Sequence, residues 1–199
     1  MLRKINYFIF LLASMLMYST GINAQQSDFG NWLIYIGNKK LNSKWNFHNE
    51  VQYRNYDAVG DLEQLLLRTG VGYNLSENNH NLLLGYGYIL SENYISNSQD
   101  KQYVNEHRIF QQFTLKDRIG GVLLTHRYRF EQRFVEEYFK MRLRYFLAAK
   151  IPLIKSKDGN NKFYFSAYNE VFLNTKDTFF DRNRVYGGIG YQLNNKVRL

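Results

Sequence analysis

The chain has 199 residues and no cysteine. That absence excludes disulfides, thiolate metal sites and lipid attachment at a processed N-terminal cysteine. It has one proline, Pro152, so almost every backbone N–H is free to join a β-ladder. Beyond the N-terminus no stretch approaches the roughly 20 apolar residues of a membrane helix. Acids are the minority charge, 17 Asp and Glu against 26 Lys and Arg. What the chain has in abundance is aromatic residues, with 17 Tyr and 15 Phe.

The first residues carry an export address. Arg3 and Lys4 form a short basic region, Tyr7 to Met17 are almost wholly apolar, and Ile22-Asn23-Ala24 offers small residues for cleavage before Gln25. The apolar stretch is too short for a membrane anchor, so residues 1–24 read as a secretory signal peptide. Residues 25–199 read as one domain. The formal charge of +9 falls to +7 when Arg3 and Lys4 leave. The arginines alternate along strands and form no run, so nucleic acid is not the expected partner. Anionic lipopolysaccharide and anionic solutes are.

A period of two runs through most of the sequence. Trp45, Phe47, Val51 and Tyr53 fall on one face of a strand, and Asn46, His48, Glu50, Gln52 and Arg54 on the other. Nine strands are expected, near 29–37, 44–54, 62–75, 81–91, 102–115, 118–133, 139–151, 162–173 and 182–193, with a further start at 196. Most exceed the five or six residues usual in globular proteins and suit the 9–11 residues of a tilted membrane strand. The apolar faces carry Leu, Tyr and Phe; the polar faces carry Arg and Glu. This is a barrel turned inside out, with an apolar wall, tyrosine girdles and a charged lumen. The expected fold is all-β: a transmembrane antiparallel up-and-down β-barrel of 10–12 strands. Since closed single-chain barrels have an even strand number, the chain is expected to continue beyond Leu199. The first segment is expected to be an incomplete strand or a periplasmic flap. Tight links are expected at Ser76–Asn79, Lys116-Asp117 and Asn194-Asn195, with longer external ones at Asn55–Asp61, Glu92–Lys101 and Asn174–Asp181.

Four runs carry a resemblance. They are Asn49-Glu50-Val51-Gln52-Tyr53-Arg54, Glu106-His107-Arg108-Ile109-Phe110-Gln111-Gln112, Tyr168-Asn169-Glu170-Val171-Phe172 and Asp181-Arg182-Asn183-Arg184. In this order the chain resembles the uncharacterised outer-membrane barrel family labelled domain of unknown function 2490, over most of its mature length. The resemblance implies a barrel in the outer membrane of a Gram-negative bacterium. It supplies no catalytic residue and no cofactor, and it implies further chain beyond the point matching Leu199.

The lumen-facing charges form the candidate site: Glu50, Arg68, Glu106, Arg108, Arg127, Arg129, Glu131, Arg142, Arg144, Glu170 and Arg184. A turn at Lys116-Asp117 would put Glu106 opposite Arg127. The longer links would bring Glu131 near Arg142, Glu170 near Arg184 and Glu50 near Arg68. Opposite charges across strands attract, and a narrow lumen makes an unpaired one costly. The ladder either fills the barrel or lines a path for ions. Gly70, Gly72, Gly85, Gly87, Gly188 and Gly190 face the same interior, either to let strands bend or to make room for arginines of the sixth and seventh strands.

The function expected is non-enzymatic: a structural barrel, a pore for ions or small solutes, or a platform whose loops bind a partner. The protein is expected to be monomeric, in contact with outer-membrane lipid and lipopolysaccharide, and inserted by the barrel-assembly machinery. The alternative is a lipid-modifying enzyme of the phospholipase or lipid A deacylase type. Its suspects are His107 and His126, which the same Lys116-Asp117 turn would pair on the outer face. No serine stands beside them and a metal would need a third ligand, so no catalytic residue, cofactor or metal is expected.

Overall fold

A computed structural model describes residues 30–193, apart from 59, 76–78, 97 and 156–160. The signal-peptide segment and the strand start at 196 lie outside the described residues. Among the described residues nine strands follow one another: β1 Trp32–Lys40, β2 Trp45–Asn55, β3 Leu62–Asn74, β4 His80–Tyr94, β5 Lys101–Ile119, β6 Val122–Val135, β7 Tyr138–Lys155, β8 Asn161–Asn174 and β9 Phe180–Tyr191. Each pairs antiparallel with its neighbours in sequence, in the order β1 to β9. The meander is curled into a half-barrel, with β1 and β9 as its edges.

Alternation decides which face points inward. Along β3, Leu66, Arg68, Gly70 and Gly72 are buried while Leu67, Thr69 and Val71 are exposed. Side chains on the concave face converge and reach past a neighbouring strand. Asn81 of β4 donates to Asn46 of β2 at 2.8 Å, and Arg127 of β6 donates to Glu170 of β8 at 2.8 Å. The Arg184 guanidinium of β9 stands 5.8 Å from the Trp32 ring of β1. On the convex face, among the described residues, rings meet across adjacent strands, as in Phe113 and Tyr128 at 6.4 Å and Tyr128 and Tyr145 at 5.0 Å.

The packing is inverted relative to a water-soluble protein. Among the described residues the buried apolar side chains are Leu66, Leu83, Ile89, Phe110 and Phe172. The buried charged ones are Glu50, Arg68, Glu106, Arg108, Arg129, Glu131, Arg133, Arg142 and Glu170. Charged residues are almost never fully buried in soluble folds unless paired. Meanwhile Leu67, Leu84, Ile109, Tyr128 and Leu143 lie exposed on the convex side, more apolar surface than scattered residues make, with Gln111 hydrogen-bonded to Gln132 among them.

Two sequence expectations are corrected here. The first segment is no flap: β1 pairs along its whole length with β2, from Trp32 opposite Arg54 to Lys40 opposite Asn46. The turn between β5 and β6 is not at Lys116-Asp117 but at Gly120-Gly121, flanked by Ile119 opposite Val122. Gly120 has a φ of 59°, the positive value needed at the first central position of a two-residue II′ turn. Lys116 and Asp117 continue the strand. The numbers of paired residues therefore sum to 241 instead of 233. The shift is even, so it preserves each residue's face and changes only its partner. Pro152, lacking an N–H, sits where the β7–β8 pairing slips between Pro152 and Ile154.

Candidate functional site

The concave face encloses a cavity of about 780 Å³. Its wall carries Arg54, Arg68, Arg108, Arg127, Arg129, Arg133, Arg142, Arg144, Arg182 and Arg184. The interior glutamates are Glu50, Glu106, Glu131 and Glu170, all buried. Period-two patterning delivers these charges to one side, and strand curvature then brings them together.

Most of the charges form one connected chain across β5 to β8. Glu106 accepts from Arg108 Nε and from Arg133 Nε, each at 2.5 Å. Arg108 Nη1 lies 3.9 Å from Glu131. Glu131, with no solvent exposure, accepts from Arg144 Nη1 at 2.8 Å and has Arg129 Nη1 at 3.6 Å. Arg144 Nη2 also donates to Glu170 at 2.6 Å, and Glu170 takes Arg127 at 2.8 Å. Sharing one arginine between two carboxylates satisfies buried charges that would be costly alone. On the opposite wall Arg68 donates to Glu50 at 2.6 Å, and Gln52 Nε2 donates to the same carboxylate.

The register puts Glu50 opposite Arg68, Glu131 opposite Arg142, and Glu170 opposite Arg184. Only the first of these becomes an ion pair. Arg142 turns instead to Asn174 at 2.8 Å and Asp181 at 3.3 Å. Arg184 makes no ion pair among the described residues, because Glu170 is already taken by Arg127 and Arg144. Diagonal neighbours lie within reach of long side chains. Arg144 reaches Glu131 and Glu170 from such positions, and Arg127 reaches Glu170 past β7. Glu106 does not face Arg127: it stands opposite Val135, and Arg127 opposite Thr114. Arg108 stands opposite Arg133, two like charges held together by Glu106 between them.

The glycines make room, though not for the arginines expected. A Cβ on Gly85 would lie 2.2 Å from Phe110 Cζ, and one on Gly190 2.2 Å from Tyr164 Cζ. Rings from the neighbouring strands fill these two gaps, while Asn46 lies against Gly72 and Arg68 of β3 against Gly87. Arg129 lies over the Phe110 ring at 4.7 Å and donates Nε and Nη2 to Gln112 at 2.9 and 2.6 Å. Phe110, Arg54, Arg133 and Asp181 thus belong to the site, although the sequence pairing left them out. Inward parity was the available signal for Phe110, Arg54 and Arg133; Asp181 has the opposite parity to Arg182 and Arg184 and reaches Arg142 where the β8–β9 register shifts.

The paired histidines are corrected. His107 stands opposite Phe134, and His126 opposite Leu115. His107 hydrogen-bonds Tyr86 at 2.5 Å and His126 hydrogen-bonds Tyr145 at 2.9 Å. The turn at Gly120-Gly121, four residues later than expected, separates them. Among the described residues no group of three His, Cys, Asp or Glu side chains could hold a metal ion.

A second cluster caps one rim. Lys101 Nζ bonds Asp61 and Glu92, the latter at 3.2 Å. Tyr94 Oη donates to Asp61 at 2.7 Å. The bonds from Lys101 and Tyr94 hold the Asp61 carboxyl below its ordinary pKa.

Residues 29–199 match the family described as protein of unknown function, DUF2490. The chain belongs to the DUF2490 family. It is also similar to an uncharacterized protein of Methylorubrum extorquens, with 29% identity over 197 residues, covering 94% of this chain and 82% of the relative. No solved structure was found to match. DUF2490 membership agrees with the family label expected from the four sequence runs.

Proposed function

We propose that this DUF2490 chain is a non-enzymatic, monomeric β-barrel of the Gram-negative outer membrane, with an interior braced by the Arg/Glu network and open to small anions. The half-barrel is the larger part of a closed wall of 10–12 strands, with further strand pairing joining β1 to β9. The observation that carries this reading is the inversion of polarity: a chain of buried Glu and Arg inside, and a belt of Leu, Ile and Tyr outside. In water such an exterior would aggregate; against acyl chains it is the stable choice, provided no sheet edge is left open.

The surplus of arginine over glutamate gives the interior a positive potential. Low-dielectric walls focus such a potential and draw anions in. The network keeps the bore narrow, so any flux is of small solutes. Outer-membrane lipid and lipopolysaccharide would cover the convex face, after insertion by the barrel-assembly machinery. The lipid-hydrolase alternative has lost the paired histidines that motivated it, and no other observation favours it.

Cell fractionation and electrophoresis test the reading. Full-length protein should sediment with the outer membrane and need detergent for release. Unheated, it should migrate apart from the boiled form, because a closed barrel resists unfolding by detergent alone. Release into the periplasmic fraction without detergent would end the membrane assignment.

A further inference from the structure

One end of the interior holds two arginines outside the Arg/Glu network. Arg54, next to last in β2, has no carboxylate within ion-pairing distance among the described residues. Its Nη1 and Nη2 donate to Gln64 at 3.1 Å and Gln52 at 2.6 Å, while its buried Nε has no partner. Arg184 of β9 likewise has no ion pair, and none of its donors meets a protein acceptor among the described residues. Glu63 and Glu170 act on the two arginines only at longer range.

Both guanidiniums lie over one indole. Arg54 Cζ is 4.1 Å from the Trp32 ring centre and Arg184 Cζ is 5.8 Å from it. Arg184 also lies 5.0 Å from the Phe172 ring. Stacking occupies the faces of a guanidinium and leaves its in-plane N–H groups free to donate. Gln64 is itself anchored, donating to Ser91 at 2.8 Å, so Arg54 is held in place. Both arginines are only partly exposed, which strengthens their field on anything between them. Two like charges aimed at one space, with no acid between them, need a counter-ion.

We infer that Arg54 and Arg184, positioned by Trp32, form an oxyanion-binding site at this mouth of the interior. Its ligands are small phosphate- or carboxylate-bearing solutes that enter from the aqueous side. Planar guanidiniums match such oxygens bidentately. The inference rests on the barrel reading, since it places the site on the lumen face and not against lipid. An oxyanion held there would be the first to meet the arginine-lined interior beyond.

Isothermal titration of inorganic phosphate into full-length protein in a maltoside detergent, at fixed ionic strength, tests it. Saturable binding is expected in the parent. Arg54→Gln or Arg184→Gln should weaken it about tenfold, the effect of losing one charged hydrogen-bond donor. Arg184→Lys should retain part of it, and Lys116→Gln, near the opposite rim, all of it. Titration with phosphorylated lipid A in mixed micelles is the second arm. Binding of that lipid with none of inorganic phosphate would overturn the solute assignment. Absence of saturable binding in the parent, or equal affinity in Arg184→Gln, would overturn the site itself. Electrophoresis of the same samples with and without boiling separates failure of the site from failure of the barrel reading.

Discussion

Glu131→Ala is expected to destabilise the folded protein by about 3–5 kcal/mol, the cost of stranding buried charge. Glu131 has no solvent exposure and sits among Arg144, Arg129 and Arg108 at 2.8, 3.6 and 3.9 Å. Removing it leaves three guanidiniums crowded together, with Gln112, Glu170 and Glu106 as their remaining partners. It also cuts the chain of shared carboxylates at its middle, between the Glu106 and Glu170 ends. Glu131→Gln keeps the volume and loses the charge, and should recover only a minor part. Thermal unfolding of the detergent-solubilised full-length protein, followed by circular dichroism, reads the loss. A change below about 1 kcal/mol, the value of an exposed ion pair, would mean that the interior is solvated well enough to screen its charges.

Phe110→Ala should cost a similar amount, about 3–5 kcal/mol, as for a buried ring elsewhere. The ring is 1% exposed, rests on Gly85 and supports the Arg129 guanidinium. Gly85→Ala alone should cost about 1–3 kcal/mol by overpacking, because its new methyl would meet the Phe110 ring tip. The two changes together should cost less than their sum, since each removes the other's conflict. Strict additivity in the same unfolding assay would show that glycine serves strand curvature at this position and not the ring.

Much of the fold was legible because a period of two is local. The faces of β2, β3, β4 and β6 follow from residues such as Phe47, Glu50, Arg68 and Leu84, without knowledge of any partner strand. Partners were harder to read. A pairing depends on where a turn falls, and a polar Lys116-Asp117 looked more like a turn than the Gly120-Gly121 that makes it. The true turn takes Glu106 from Arg127 to the neighbourhood of Arg133, and it sets His107 and His126 apart. Even a correct register did not give the ion pairs. Arg142 and Arg184 stand opposite glutamates that longer-range geometry assigns to other arginines. Competition among several cations for few carboxylates is settled by strand curvature and side-chain reach across it, which no strand carries in its own sequence. The Arg54–Trp32–Arg184 grouping was invisible for the same reason. It joins the first and last described strands.

The central claim is that the convex face meets lipid. A chain without cysteine allows one to be placed at will. A fluorophore on Leu67→Cys, Leu84→Cys or Leu143→Cys, in full-length protein reconstituted into bilayers, should be strongly quenched by brominated acyl chains. The same fluorophore on Asn46→Cys or Thr114→Cys, on the concave face, should be quenched by aqueous iodide or not at all. Quenching by brominated lipid at the concave positions, or its absence at all three convex ones, would contradict the account.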